Sequence, residues 1–282
     1  ILHYKYNNLS HKQKNNVKKF VEYNWSSNKL INEPYIKNIN YISLLKNNFI
    51  NGIICGETLK MNNDTIMYVD YLCVDKNKRH KNLASKLIYN FFLNNYKNSK
   101  IYLFKWENKN MNIVPLCVYN VYHYKDIKVS RLNQITDLKI FEINNNQLYL
   151  LNEKEIKDKF NVSIIQNFET LIMSVNDNYV KIYACMKQNK LIGLYFFKIY
   201  KNNTYNCYAS INYDTDSLFT EGFKLILNTL NVFTISIDDI SHSNILIKSL
   251  KAYEPLFIET HSYYFYNYIK MCESSKDVFI LN

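Results

Sequence analysis

Tyr68-Val69-Asp70-Tyr71-Leu72-Cys73-Val74, followed by Asp75-Lys76-Asn77-Lys78-Arg79-His80-Lys81-Asn82 and then Leu83-Ala84-Ser85-Lys86-Leu87-Ile88, is the stretch around which the chain arranges itself. The first seven residues alternate and are rich in β-branched and aromatic types, which predicts a strand. Leu83, Ala84, Leu87, Ile88 and Phe91 recur at helical spacing, which predicts an amphipathic helix. A basic loop joins the two. Backbone N–H groups at the positive end of a helix dipole, with the charges of Lys78, Arg79 and Lys81, suit a phosphate. A solvated charged turn has the same composition, so the loop alone leaves both readings open.

The chain has 282 residues, enough for one large or two small domains with a substantial core. No run of about 18 apolar residues marks a membrane span. Because it begins at Ile1, no targeting signal can be judged. The net charge of +11 rests on 35 basic residues, of which only Arg79 and Arg131 are arginine. With 26 Tyr and abundant Asn and Ile, this is the signature of an AT-rich genome more than of nucleic-acid affinity. Six scattered Cys without a CxxC pair suggest reduced thiols in a cytosol-like compartment, and no spacing supports a zinc site.

Residues 1–11 lack periodicity and read as a surface arm, with Tyr4-Lys5-Tyr6 as an aromatic and basic cluster. Lys12 to Tyr23 predicts a helix ending near Asn24-Trp25-Ser26, and residues 35–46 a second one. Phe49–Leu59 and Thr65–Val74 read as strands joined at the polar tip Met61-Asn62-Asn63-Asp64; a helix over 83–96 and a strand over Ile101–Trp106 follow. The same order returns in Val180–Cys185, Lys190–Tyr200, Thr204–Asn212, a helix over 217–230 and Val232–Ile237. An offset of about 140 residues points to internal duplication. The second copy has Asp214-Thr215-Asp216-Ser217 before its helix, so only one copy carries a phosphate loop.

Arg79-x-x-Asn82-x-Ala84 resembles the pyrophosphate signature of the GNAT acyltransferase superfamily, with Asn in place of the first glycine. Asn is the non-glycine residue best able to take positive φ. Within that superfamily the chain resembles the N-myristoyltransferases. Tyr71-Leu72-Cys73-Val74 stands where they have Phe-Leu-Cys-Val, and Arg79-His80-Lys81-Asn82-Leu83-Ala84 where they have Arg-Ser-Lys-Arg-Leu/Val-Ala. Tyr4-Lys5-Tyr6 is similar to their N-terminal Tyr-x-Phe-Trp, Asn24-Trp25 to Asn-Tyr, and Tyr122-His123 to Trp-His. Tyr263-Tyr264-Phe265-Tyr266-Asn267-Tyr268 resembles Tyr-Tyr-Leu-Tyr-Asn-Trp, and Val278 to Asn282 follows at about the family's distance.

The resemblance implies an α/β (α+β) fold of two tandem GNAT-like halves in pseudo-twofold relation, a mixed twisted sheet flanked by helices. Residues 1–152 would carry the acyl-CoA site, and 153–282 would contribute the peptide site and a terminal carboxylate. The implied reaction moves a myristoyl group from CoA to the N-terminal glycine of a protein without a metal. Tyr71 and Leu72 would lend their N–H groups to an oxyanion hole, and the carboxylate of Asn282 would act as base. Tyr4, Lys5, Tyr6, Asn24, Cys73, Val74 and the loop Arg79, His80, Lys81, Asn82, Leu83 and Ala84 would hold acyl-CoA; Trp25, His123 and Leu281 would meet the peptide. A monomer in the cytoplasm, a host's if the source is viral, with no nucleic-acid partner, completes the expectation.

Departures bear on specificity. The family's acidic run is replaced by Ser26-Ser27-Asn28-Lys29, and new carboxylates, Asp70 and Glu107, stand near the expected amine site as counter-ions or bases. Phe257-Ile258-Glu259 takes the place of Gly-Asp-Gly. These changes keep two alternatives in view, a non-catalytic binder of acyl-CoA or of a myristoylated partner, and a short-chain GNAT acyltransferase. Cys73, inside a strand and without a paired His, reads as a core thiol. The Tyr263–Tyr268 rings read as packing.

Overall fold

The computed structural model describes residues 1–24, 39–62, 64–107, 111–127, 137–200, 203–230 and 232–282. They form two compact units, residues 1–105 with 264–270, and 106–263 with 271–282. The chain divides after Lys105 and not at residue 152, because the strand Cys117–Lys125 is paired on both sides by strands of the later part.

The first unit contains β1 (Leu2–Lys5), α1 (His11–Asn24), β2 (Tyr41–Lys46), β3 (Ile50–Met61), β4 (Asp64–Val74), α2 (Leu83–Asn95) and β5 (Ile101–Glu107). Its strands lie in the order β1-β2-β3-β4-β5, antiparallel except for the parallel pair β4 and β5. Helix α1 starts with a reciprocal cap: Gln13 N–H donates to Ser10 Oγ, and Ser10 N–H donates to Gln13 Oε1. It packs Val17 and Val21 with Ile42, Ile53, Cys55 and Cys73 on one side of the sheet. Helix α2 sets Leu87 and Phe91 with Ile54, Met67 and Tyr102 on the other.

Two expectations are corrected here. Residues 2–5 are a strand and not an unpaired arm, with Tyr4 opposite Ile42 and Lys5 opposite Tyr41. Residues 41–46 are also a strand and not the end of a helix. Ile42 and Leu45 mimic helical spacing, but β1 pairs with residues 41–44 on one side and β3 with the segment on the other, which gives its backbone groups partners that an isolated short helix lacks. Residues 25–38 lie outside the described residues.

The second unit contains β6 (Cys117–Lys125), β7 (Leu138–Glu142), α3 (Glu153–Lys159), β8 (Val162–Gln166), α4 (Phe168–Asn176), β9 (Val180–Lys187), β10 (Lys190–Tyr200) and β11 (Thr204–Asn212). After these come α5 (Asp216–Leu230), β12 (Thr234–Asp238), α6 (Ser243–Ser249), β13 (Phe257–Tyr266), which belongs to this unit as far as Tyr263, and β14 (Val278–Leu281). The strand order is β13-β6-β12-β11-β10-β9-β7, with β14 parallel to β8. The stretch β9-β10-β11-α5-β12 repeats β2-β3-β4-α2-β5: three antiparallel strands, a helix, and a strand parallel to the third. Both copies place a glycine beneath a helical phenylalanine. A Cβ on Gly56 would come within 2.6 Å of Phe91 Cζ, and one on Gly193 within 2.5 Å of Phe219 Cδ2. With two of the chain's four glycines used this way, turns rely on other residues. Six of the eleven non-glycine residues with positive φ are Asn, and no glycine among the described residues has positive φ. No helix among the described residues is long and apolar enough to cross a membrane.

His242, at the start of α6, accepts the Asn212 N–H on Nδ1 at 2.8 Å and lies 4.7 Å from the Phe160 ring. Burial, aided by the charge of Lys159, lowers its pKa to about 4. A lowered histidine pKa means that the unfolded chain binds the proton first, so stability falls as pH drops from about 6.5 and levels off below about 4. Urea unfolding at pH 7 and pH 4 is expected to show wild type losing about 2–3 kcal/mol more than His242→Asn.

Candidate functional site

Unit one gathers most of the residues singled out by the sequence. The parallel ladder of β4 with β5 runs from Ile66 opposite Ile101 to Val69 opposite Phe104 and stops there, while β4 continues to Val74. The strands therefore part at Asp70. Immediately beyond, the register against β3 shifts: Cys55 faces Asp70 and Ile53 faces Cys73, so Tyr71 and Leu72 together oppose Ile54. Such a bulge takes a peptide out of the ladder and re-aims its N–H. Tyr71 makes the turn with φ of 50°, an uncommon conformation for an aromatic residue. Its N–H donates to Oδ1 of Asp70 at 2.8 Å.

The loop after β4 is tied down by side chains. Asp75 N–H donates to the Asn51 carbonyl, Asp75 Oδ1 accepts from Asn77 N–H, and Lys78 Nζ donates to Asn51 Oδ1. Buried Asn24 accepts Lys76 N–H on Oδ1 at 3.0 Å. Arg79 donates through Nε to the Val74 carbonyl and through Nη2 to the Asn24 carbonyl at 2.6 Å. Arg79 and Asn24 thus brace the loop against the end of α1. His80 and Asn82 both have positive φ, 64° and 54°, and the Asn82 side chain makes no cap bond to α2. The first helical bond is from Lys86 N–H to the Asn82 carbonyl. The turn therefore delivers the N–H groups of Leu83, Ala84 and Ser85 at the opening of α2 beside exposed His80 and Lys81, the arrangement of an anion site.

Tyr4 and Asn24 line an open cleft of about 520 Å³ with Phe20, Tyr23, Asp75 and Asn77. Lys5 is paired in β1, and Tyr6 carries the Lys14 ammonium 5.0 Å above its ring. Cys73 is buried, and burial pushes its thiol up to about 11 against the opposing charges of Arg79 and Lys76. It stays a thiol at neutral pH and packs in the core. Leu72 and Val74 join the α2 side of the sheet, and Tyr71 the α1 side.

The second unit holds the rest. Glu107 is exposed at the end of β5. Leu281 is buried with Phe279 and Ile165, and Asn282 is half-buried. His123 on β6 stacks on Phe257 at 4.1 Å, and its Nε2 lies 3.3 Å from Glu259 Oε2; His261 Nε2 approaches the same oxygen at 3.6 Å. Pairing of β6 with β12 and β13 sets His123, Glu259, His261 and Asp238 on one face, opposite to the face of Tyr122, Ile235 and Ile237 that packs under α5 and α6. Glu259 and His261 were missed as partners of His123. The alternation Phe257, Glu259, His261, Tyr263 is the signal that puts them on one face. Trp25 and Ser26 to Lys29 lie outside the described residues.

The strand order with its repeat, the splayed β4 and β5, and the bulge before a left-handed basic turn define a mixed α/β fold, a large twisted sheet flanked by helices. Solved structures of the Saccharomyces cerevisiae N-myristoyltransferase share it. One with bound myristoyl-CoA matches with a TM-score of 0.70 at 12% identity, covering 97% of this chain and 84% of that one. Another, with myristoyl-CoA and inhibitors, gives 0.69 at 11%, covering 95% and 81%. At such identity the likeness is one of fold. No family model and no curated protein matches the sequence.

Proposed function

We propose that this chain transfers a long acyl group, myristoyl in the first instance, from a CoA thioester to the N-terminal glycine amine of a protein. The observation that carries the reading is the bulge at Tyr71 and Leu72, set directly before a left-handed basic turn that opens a helix. The N–H groups at the bulge receive the thioester oxygen as it becomes anionic, a contribution of about 3 kcal/mol per donor. His80, Lys81 and the first amides of α2 hold the phosphates. Arg79 and Asn24 position that loop, and Tyr4, Lys5 and Tyr6 flank the nucleotide. The glycine nitrogen attacks the thioester carbon, the carbon–sulfur bond breaks, and the CoA thiolate leaves. By the resemblance alone, the proton from the amine is assigned to the α-carboxylate of Asn282, and His123, Leu281 and Glu107 are assigned to the acceptor.

A second reading, an acyl-CoA binder without transfer, draws on one observation: the Tyr71 N–H is held by the carboxylate of Asp70. Incubation with myristoyl-CoA and either a glycyl peptide or its N-acetylated counterpart separates the two. The expected result is CoA thiol release matched by acylation of the glycyl peptide alone, followed by mass spectrometry. Tight binding with no acylated peptide would favour the binder.

A further inference from the structure

We propose that Asp70 is a latch on the oxyanion hole, a positioning residue that holds the Tyr71 amide closed in the resting chain. This rests on the transfer reading above. Asp70 is the last residue before the bulge, at the point where the β4 and β5 ladder ends. Its Oδ1 lies 2.8 Å from the Tyr71 nitrogen, a charge-assisted hydrogen bond between neighbouring residues. The chain turns sharply at the residue that carries this amide, Tyr71 having a φ of 50°. Local bonds from Asp to nearby backbone N–H groups are a standing alternative to strand pairing, and here one sits on the peptide that the bulge takes out of the ladder.

The consequence is electrostatic. A thioester oxygen seeking this donor meets one that is already occupied, and the charge beside it has the same sign as the one about to develop. Oxyanion holes work because their dipoles are aimed in advance at the developing charge. A carboxylate on the same amide works the other way, so acyl-CoA is held without being activated until Asp70 swings off the Tyr71 nitrogen. Removing the carboxylate takes away no apolar side chain from the sheet, so the bulge and its backbone are expected to stay in place.

The test compares two CoA conjugates by calorimetry, a thioether with no carbonyl and a phosphonate that mimics the tetrahedral anion. Asp70→Ala is expected to bind the phosphonate about tenfold tighter than wild type while binding the thioether equally. Asp70→Asn keeps the acceptor oxygen without the charge, and it carries the test if the alanine variant does not fold; its expected gain for the phosphonate is about threefold. Equal affinity of wild type and both variants for the phosphonate overturns the latch alone. Failure of wild type to bind either conjugate overturns the transfer reading, and the latch with it.

Discussion

Two glycines appended after Asn282 are expected to lower acyl transfer on the order of 10²-fold or more while leaving acyl-CoA affinity unchanged. A glycine ammonium, with a pKa near 8, must lose a proton before it attacks, so a modestly basic acceptor held in place is sufficient. Val278–Leu281 is fully buried and runs parallel to β8, with Leu281 opposite Ile165, so the residue after it is delivered in a fixed direction. Each added residue moves the carboxylate by roughly 3 Å and leaves every native side chain in place. The check is a pair of measurements on the extended chain, single-turnover transfer to a glycyl peptide and calorimetry with acyl-CoA. Normal turnover would remove Asn282 from the proposal and pass the role of base to Asp70 or Glu107.

The parts of the fold that were legible in the sequence are those dictated by local pattern. Leu83, Leu87 and Phe91 define α2, the β-branched run through Val74 defines β4, and the repeat of hairpin, strand and helix is visible because each copy buries the same faces. The strand Val278–Leu281 announces itself as an apolar run. What was not legible depends on partners distant in sequence. Residues 41–46 have helix-compatible spacing, and only the strands on either side of them decide the matter. Leu2–Lys5 has no period of its own and is a strand because β2 accepts it.

The site shows the same division. The left-handed turn at Asn82 was legible, because Asn stands where the resembled motif has glycine and is the non-glycine residue best able to take positive φ. The bulge at Tyr71 and Leu72 came from resemblance to other proteins and not from any local signal, since nothing in Tyr-Leu marks a register shift. Arg79 illustrates the limit most clearly. Its charge in a loop suggested a phosphate ligand, whereas its guanidinium donates to carbonyls 5 and 55 residues away in sequence. A contact of that kind leaves no trace in spacing. The bond between Asp70 and Tyr71 is local, yet the substitution alone suggested a counter-ion or a base, and the bond shows only in the structure.

The proposed function requires this chain to hold a long-chain acyl-CoA. Each methylene buried adds about 0.8 kcal/mol, so burying even half of the dozen extra carbons of a myristoyl chain favours it over acetyl by about 10³-fold or more. On the proposed function the phosphates contribute equally to both, because the residues assigned to them, His80, Lys81 and the amides of α2, are assigned to the CoA end of the molecule alone. Titration of this chain with myristoyl-CoA, acetyl-CoA and CoA by calorimetry is the measurement that decides it. The account predicts saturable one-to-one binding of myristoyl-CoA, at least 10³-fold tighter than acetyl-CoA, with acetyl-CoA close to CoA itself. Equal affinities for the three, or no binding of myristoyl-CoA, would contradict it.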